Sequence, residues 1–222
     1  MRALALGVAI GLGLWAGMLD VSATKDHLVD VAAGLGVPPA VLAEIEAALG
    51  DVPDSVPIPL LGGLVAVPLP IGSLELDGAI LTDGILEGLG LWPTGGVILA
   101  DPSLSVDFAF LTYRVGLSWQ VGLDLGLLAL SLGAGGALFG GGIVPTVTTT
   151  DPALAPILAA FPWEGLTWSA AGGTLTATAE LGLPFLRLFV RGGVFLPAIQ
   201  TPGTWRVLVG GYSAAAGVVI RF

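Results

Sequence analysis

Glu75 and Asp77 stand two residues apart, the spacing that puts both carboxyl groups on one face of an extended strand, where they could act as paired acids or hold a cation. Further acids, bases and an amide lie at alternate positions inside apolar runs: Asp107, Arg114, Gln120, Asp124, Glu180, Arg187, Arg191, Arg206 and Arg221. The other ingredients of catalysis are missing. With no Cys there is no thiolate site, and a Ser-His-Asp hydrolase would have to recruit the one histidine, His27, from an irregular acidic segment. No serine sits in a G-x-S-x-G turn, and Lys25 follows Thr24 rather than a glycine-rich phosphate loop. No catalytic, cofactor-binding or metal-ligating residue is expected, and the polar groups are read as one wet face of a larger apolar object.

Composition says what that object is dissolved in. Of 222 residues, 55% are hydrophobic and only 11% charged, with a mean hydropathy of +0.94, so the 35 Gly and 16 Pro do not signal a disordered chain. A membrane is the solvent these numbers demand. The formal charge of -10 is uneven: up to Phe110 there are 2 basic and 13 acidic residues, and from Leu111 onward 5 basic and 4 acidic. Scattered arginines and one lysine exclude nucleic acid as a partner. The same scarcity speaks against a polytopic helical inner-membrane protein, whose orientation needs Lys and Arg at helix ends.

Lipid admits helices or closed barrels, and the period of the pattern separates them. Leu111, Tyr113, Val115, Leu117, Trp119, Val121, Leu123, Leu125 and Leu127 alternate with Thr112, Arg114, Gly116, Ser118, Gln120, Gly122, Asp124 and Gly126. A strand puts every polar member on one side, facing a barrel interior. The pattern recurs in 173–184 and 73–80, and in 185–196, where Phe185, Phe189 and Phe195 share the arginine face and must fill the lumen. The phase slips between Phe110 and Leu111, which predicts a bulge there and puts Asp107 on the inner face. Residues 125–150 carry no charge and are long enough for a spanning helix, but seven glycines between Gly126 and Gly142 weaken that rival.

The chain ends on Phe222, preceded on the same face by Ile220, Val218, Ala216, Ala214 and Tyr212. A closing strand of this kind resembles that of bacterial outer-membrane β-barrel proteins. The resemblance implies an outer-membrane location, a lipid bilayer as surroundings, and recognition of Tyr212, Val218, Ile220 and Phe222 by the barrel-assembly machinery. Upstream, Trp205, Val207 and Val209 sit in the opposite phase, so a second bulge is expected at Gly210 and Gly211.

The expected architecture is all-β: a single-domain, closed antiparallel transmembrane barrel over 1–222, with about eight strands, ten being the next even number. Strands are read in 4–18, 60–81, 103–122, 124–140, 166–182, 185–197 and 204–222, and an eighth between 84 and 100. Residues 1–23 read either as a cleaved signal peptide or as a first strand whose large residues face lipid and which ends at an interfacial Trp15. Residues 20–55 read as an acidic loop with a short helix started by Pro38-Pro39 and stopped by Gly50, and a second short helix is expected from Pro152 to about Phe161. Pro57, Pro59, Pro68 and Pro70 predict short or edge strands around 60–71. Functionally, the balanced acids and bases point to a structural or interaction protein with a plugged lumen. The alternative is a narrow porin-like channel or a conduit for a small or apolar solute.

Overall fold

The computed structural model describes residues 8–51, 53–88, 97–98, 104–150, 152, 155–156, 167–203 and 206–222. Nine strands are found among them: β1 (Ala9–Asp20), β2 (Ser55–Pro68), β3 (Ser73–Thr82), β4 (Val97–Ile98), β5 (Leu104–Asp124), β6 (Leu128–Thr149), β7 (Thr167–Leu183), β8 (Leu186–Thr201) and β9 (Leu208–Arg221). All pair antiparallel. β3, β2, β1, β9, β8, β7, β6 and β5 follow one another round the sheet, and β3 also pairs with β5, closing an eight-stranded barrel. The two-residue β4 adds only a short patch on β5, at Val106 and Ser105. The missing eighth strand is therefore not the one expected in 84–100. It comes from the region read as 60–81, which splits into β2 and β3 at a turn closed by Leu69 N–H donating to the Gly72 carbonyl (2.9 Å).

The alternation seen in the sequence is the alternation of the wall. Leu111, Tyr113, Val115, Leu117, Trp119 and Val121 are exposed on the outside, while Thr112, Arg114, Ser118 and Gln120 are buried inside. The uncharged stretch from 125 to 150 is mostly strand β6, not a helix. Glycines on β6 and on β1 let bulky inner groups pass: a Cβ on Gly17 of β1 would lie 2.5 Å from the ring of Phe139 on β6, and one on Gly141 of β6 would lie 2.6 Å from the Trp168 indole.

Several local expectations need correction. The β5–β6 register is unbroken from Leu104 to Asp124, so there is no bulge at Phe110, whose ring turns inward against the core instead. The β1–β9 register does shift opposite Met18, across Gly210 and Gly211. It absorbs two residues rather than one, however, so the phase survives and Val207 and Val209 point inward. Trp15 also points inward, at 3% exposure, because it shares its parity with Gly11 and Gly13 and not with Leu12 and Leu14. Phe185 stays outside, in the tight β7–β8 turn. Pro57 and Pro59 lie on the part of β2 that pairs with β1 alone, where the other edge has no ladder to lose.

The two ends differ. At one end, short turns join β2 to β3, β5 to β6 and β7 to β8; at the other, longer connections leave the barrel. The connection after β1 holds two helices rather than one, α1 (Ser22–Gly34) and α2 (Pro39–Gly50), and a third, α3 (Asp83–Gly88), follows β3. α2 starts at the expected proline. Lys25 of α1 bonds Asp54 at 2.7 Å, tying the hairpin to the start of β2. Of the helix expected from Pro152 onward only Pro152, a turn residue, and the helical Ala155 and Pro156 are described; Trp205 and the side chain of Asp107 lie outside the described residues.

The wall itself supplies a test. Leu117→Arg places a charge on the lipid side near mid-height and is expected to destabilise the barrel by about 2–4 kcal/mol, read as a lower urea midpoint for unfolding from lipid vesicles.

Candidate functional site

The interior is built in two layers. Toward the short-turn end, strands from opposite sides of the barrel send in charges that meet across the axis. Arg191 on β8 grips Glu75 on β3 with both terminal nitrogens, the second contact at 2.7 Å, and its Nε donates to Thr178 on β7 at 2.9 Å. Beside this pair Arg114 on β5 is ion-paired with Asp77 on the neighbouring β3. Gln120 Nε2 donates to Ser118 (3.0 Å) and Thr176 (3.2 Å). A planar guanidinium facing a carboxylate is the geometry in which two charges best tolerate leaving water.

At the short-turn mouth a second cluster links four strands. Arg187 of β8 donates to both oxygens of Asp124 at the end of β5 (3.0 and 2.9 Å) and to the Gly126 carbonyl (2.8 Å). Arg221 of β9 donates to Glu180 of β7 at 2.5 Å and lies 3.7 Å from Asp124. Inside the barrel Glu75, Asp77, Asp124 and Glu180 thus face Arg114, Arg187, Arg191 and Arg221, so the charges cancel. A cavity of about 370 Å³ opens at this mouth, lined by Glu75, Gln120, Asp124, Glu180, Arg191 and Arg221 with Phe189 among its apolar walls.

Phe189, which stands between Arg187 and Arg191 on the inner face of β8, meets both kinds of group. Arg191 stacks over its ring at 6.0 Å and Trp15 packs against it at 5.9 Å. Toward the long connections the interior is filled mainly by Trp15, Leu19, Leu60, Phe139, Trp168 and Phe195, with Thr112 of β5 and, beside Phe139 and Phe195, Arg114 also buried among them.

Of the residues singled out from the sequence, ten therefore have described side chains, and nine of them lie in these clusters. Arg206 does not: it is exposed in the turn after β8 with a positive φ of 55°, held where Val207 N–H donates to the Pro202 carbonyl. Thr112, Thr174, Thr176 and Thr178, which their even parity on β5 and β7 put on the polar face without being singled out as lumen residues, are buried inside as well. Tyr212, Val218, Ile220 and Phe222 share the outer wall of β9, and Phe222 N–H donates to the Val8 carbonyl at 3.1 Å.

The sequence matches no protein-family description and no curated protein. Among solved structures the chain is similar to three small barrels. One is Ail, the attachment invasion locus protein of Yersinia pestis, solved with the heparin analogue sucrose octasulfate (7% identity, 98% of this chain and 99% of that chain covered, TM-score 0.48). Another is the neisserial surface protein A, NspA (9% identity, 97% and 97%, TM-score 0.46). The third is CarO of Acinetobacter baumannii (11% identity, 73% and 92%, TM-score 0.39).

Removing one partner of a buried pair leaves the other charge stranded. Arg191→Met is expected to destabilise the barrel by about 3–5 kcal/mol, and adding Glu75→Gln should restore most of the loss. Equilibrium unfolding of both variants from vesicles checks this; equal losses in the single and double variants would contradict the pairing.

Proposed function

We propose that this protein is a bacterial outer-membrane barrel of structural or interaction type, with a closed lumen, that holds an acidic helical hairpin outside the membrane. The observation that carries this reading is the doubly blocked interior. A neutral ion-pair layer leaves no fixed charge to draw an ion through, and an eight-stranded barrel is only wide enough for its own side chains. The aromatic side chains above it fill the width that a hydrated ion would need.

The outer-membrane location is supported by the short turns at one end, the longer connections at the other and the aliphatic outer wall. The segment 20–54, which holds α1 and α2, carries seven acidic residues against Lys25, so the part that leaves the barrel after β1 is anionic. Catalysis plays no part in this reading.

Single-channel recording tests it. The purified protein should give no conductance steps, and the double variant Glu75→Ala with Arg191→Ala should stay silent because the aromatic layer still closes the path. Steps should appear only when Phe139, Phe189 and Phe195 are also replaced by Ala. Reproducible conductance from the unaltered protein would instead support the narrow channel. For assembly, Phe222→Ala should lower the heat-modifiable protein found in the outer membrane several-fold while leaving refolding into vesicles unchanged.

A further inference from the structure

The short-turn end of this barrel has no polar rim. The β2–β3 turn exposes Leu69 and Ile71, the β5–β6 turn Leu125 and Leu127, the β7–β8 turn Phe185, and β9 ends on Phe222. Ile71 is 68% exposed, Leu125 66% and Phe222 75%. Next to them on the outer wall come Leu123, Leu128, Leu181, Leu183 and Leu186, all exposed. The charges of this end are turned toward the axis, where Asp124, Glu180, Arg187 and Arg221 pair with one another. Among the described residues no Asp, Glu, Lys or Arg side chain projects outward from these turns.

Turns that stand in water are built from Gly, Asn, Asp and Ser, and large exposed apolar patches mark a contact surface. Here the apolar tips recur at every described short turn and at the closing strand, so they surround the mouth instead of forming one patch. A medium that is apolar all round fits such a ring better than a protein partner on one side. The height of the outer band agrees. On β5 the outward apolar run from Leu111 to Leu123, at about 3.3 Å per residue and a tilt of about 40°, spans about 30 Å, against about 25 Å for the usual band of an outer-membrane barrel. Trp119, the outward indole of β5, donates to the Ile71 carbonyl at 2.9 Å, and the β5–β6 turn continues past that level. At the other end the outer wall is mixed, with Thr167 and Ser169 on β7 and Asp20 at the end of β1 beside the exposed Val144 and Ile199.

We propose that the short-turn end lies in lipid hydrocarbon down to its tips, so that the barrel is matched to an apolar layer deeper than 25 Å and only its charged mouth meets water. This inference rests on the reading of the chain as a lipid-embedded barrel and adds a depth to it. Mismatch between the apolar height of a protein and the membrane around it acts through bilayer thickness, and thickness is what an experiment can vary.

The absence of native Cys allows single labels. Leu125→Cys, Leu127→Cys and, as a wet reference on α2, Ala47→Cys are labelled with bimane in phosphatidylcholine vesicles. Heat-modifiable migration of each sample checks the barrel itself, independently of depth. The tip labels should be quenched by lipids brominated on the acyl chain and should respond to aqueous iodide several-fold less than the Ala47 label. Iodide quenching equal to that of the reference overturns the proposal and leaves the ring as a surface facing the aqueous phase. In a second measurement the urea midpoint of the unaltered protein should rise as monounsaturated chains lengthen from 14 to about 20 carbons. Leu125→Lys with Leu127→Lys should move the optimum to shorter chains. A midpoint highest at 14 carbons, or an optimum that ignores the two lysines, overturns it equally.

Discussion

Hydrocarbon offers no partner to a backbone N–H or C=O, and every other feature of this molecule follows from the need to pair them all within the chain. A sheet satisfies that need only when it has no edges, so the first described strand must meet the last. It does so from Ala9 paired with Arg221 to Asp20 paired with Leu208, with one interruption opposite Met18. Once the sheet is closed, side chains have two destinations. One is lipid, which accepts any apolar group; the other is a narrow interior, which accepts only a set of groups whose volumes and charges add up.

The interior meets that demand in two ways within one barrel. In the half nearer the short turns, four carboxylates and four guanidiniums cancel, most of them linking strands that are not neighbours. Replacing such pairs by well-packed apolar groups is often neutral or stabilising, so their presence is better explained by geometry than by gain in stability. An Arg on β8 that finds Glu75 on β3 fixes which residues face each other across the axis. In the other half aromatic rings fill the space, and glycines on the facing strands make room for them. Phe189 belongs to both halves, cationic on one side and aromatic on the other.

The same polarity runs along the outside. Acidic helices leave the barrel at one end, and apolar turns finish it at the other. The hairpin α1–α2 is only lightly packed, with Ala32 its one buried residue among those described, so its charge and not a shared core sets how it meets its surroundings.

Side-chain parity was enough to read the barrel from the residues: strict alternation from Leu111 to Leu127 and the even-numbered face of β9 cannot be satisfied by a helix, and they put Arg114, Gln120 and Arg221 on the inside. Parity is local, and it fails wherever distant residues compete for the same space. Phe110 and Trp15 are apolar and by type suit the lipid side, yet both turn inward because an unbroken ladder fixes their phase and the upper lumen needs volume. Arg206 looked like one more inner charge until the turn after β8 took it out of the strand. The number of strands was legible, but the β2–β3 division was not, because one turn at Leu69 to Gly72 separates two apolar runs of similar composition. Which acid meets which base, and whether any path remains between them, depends on strands far apart in the chain being brought to opposite walls of one cylinder; no spacing along a sequence records that distance.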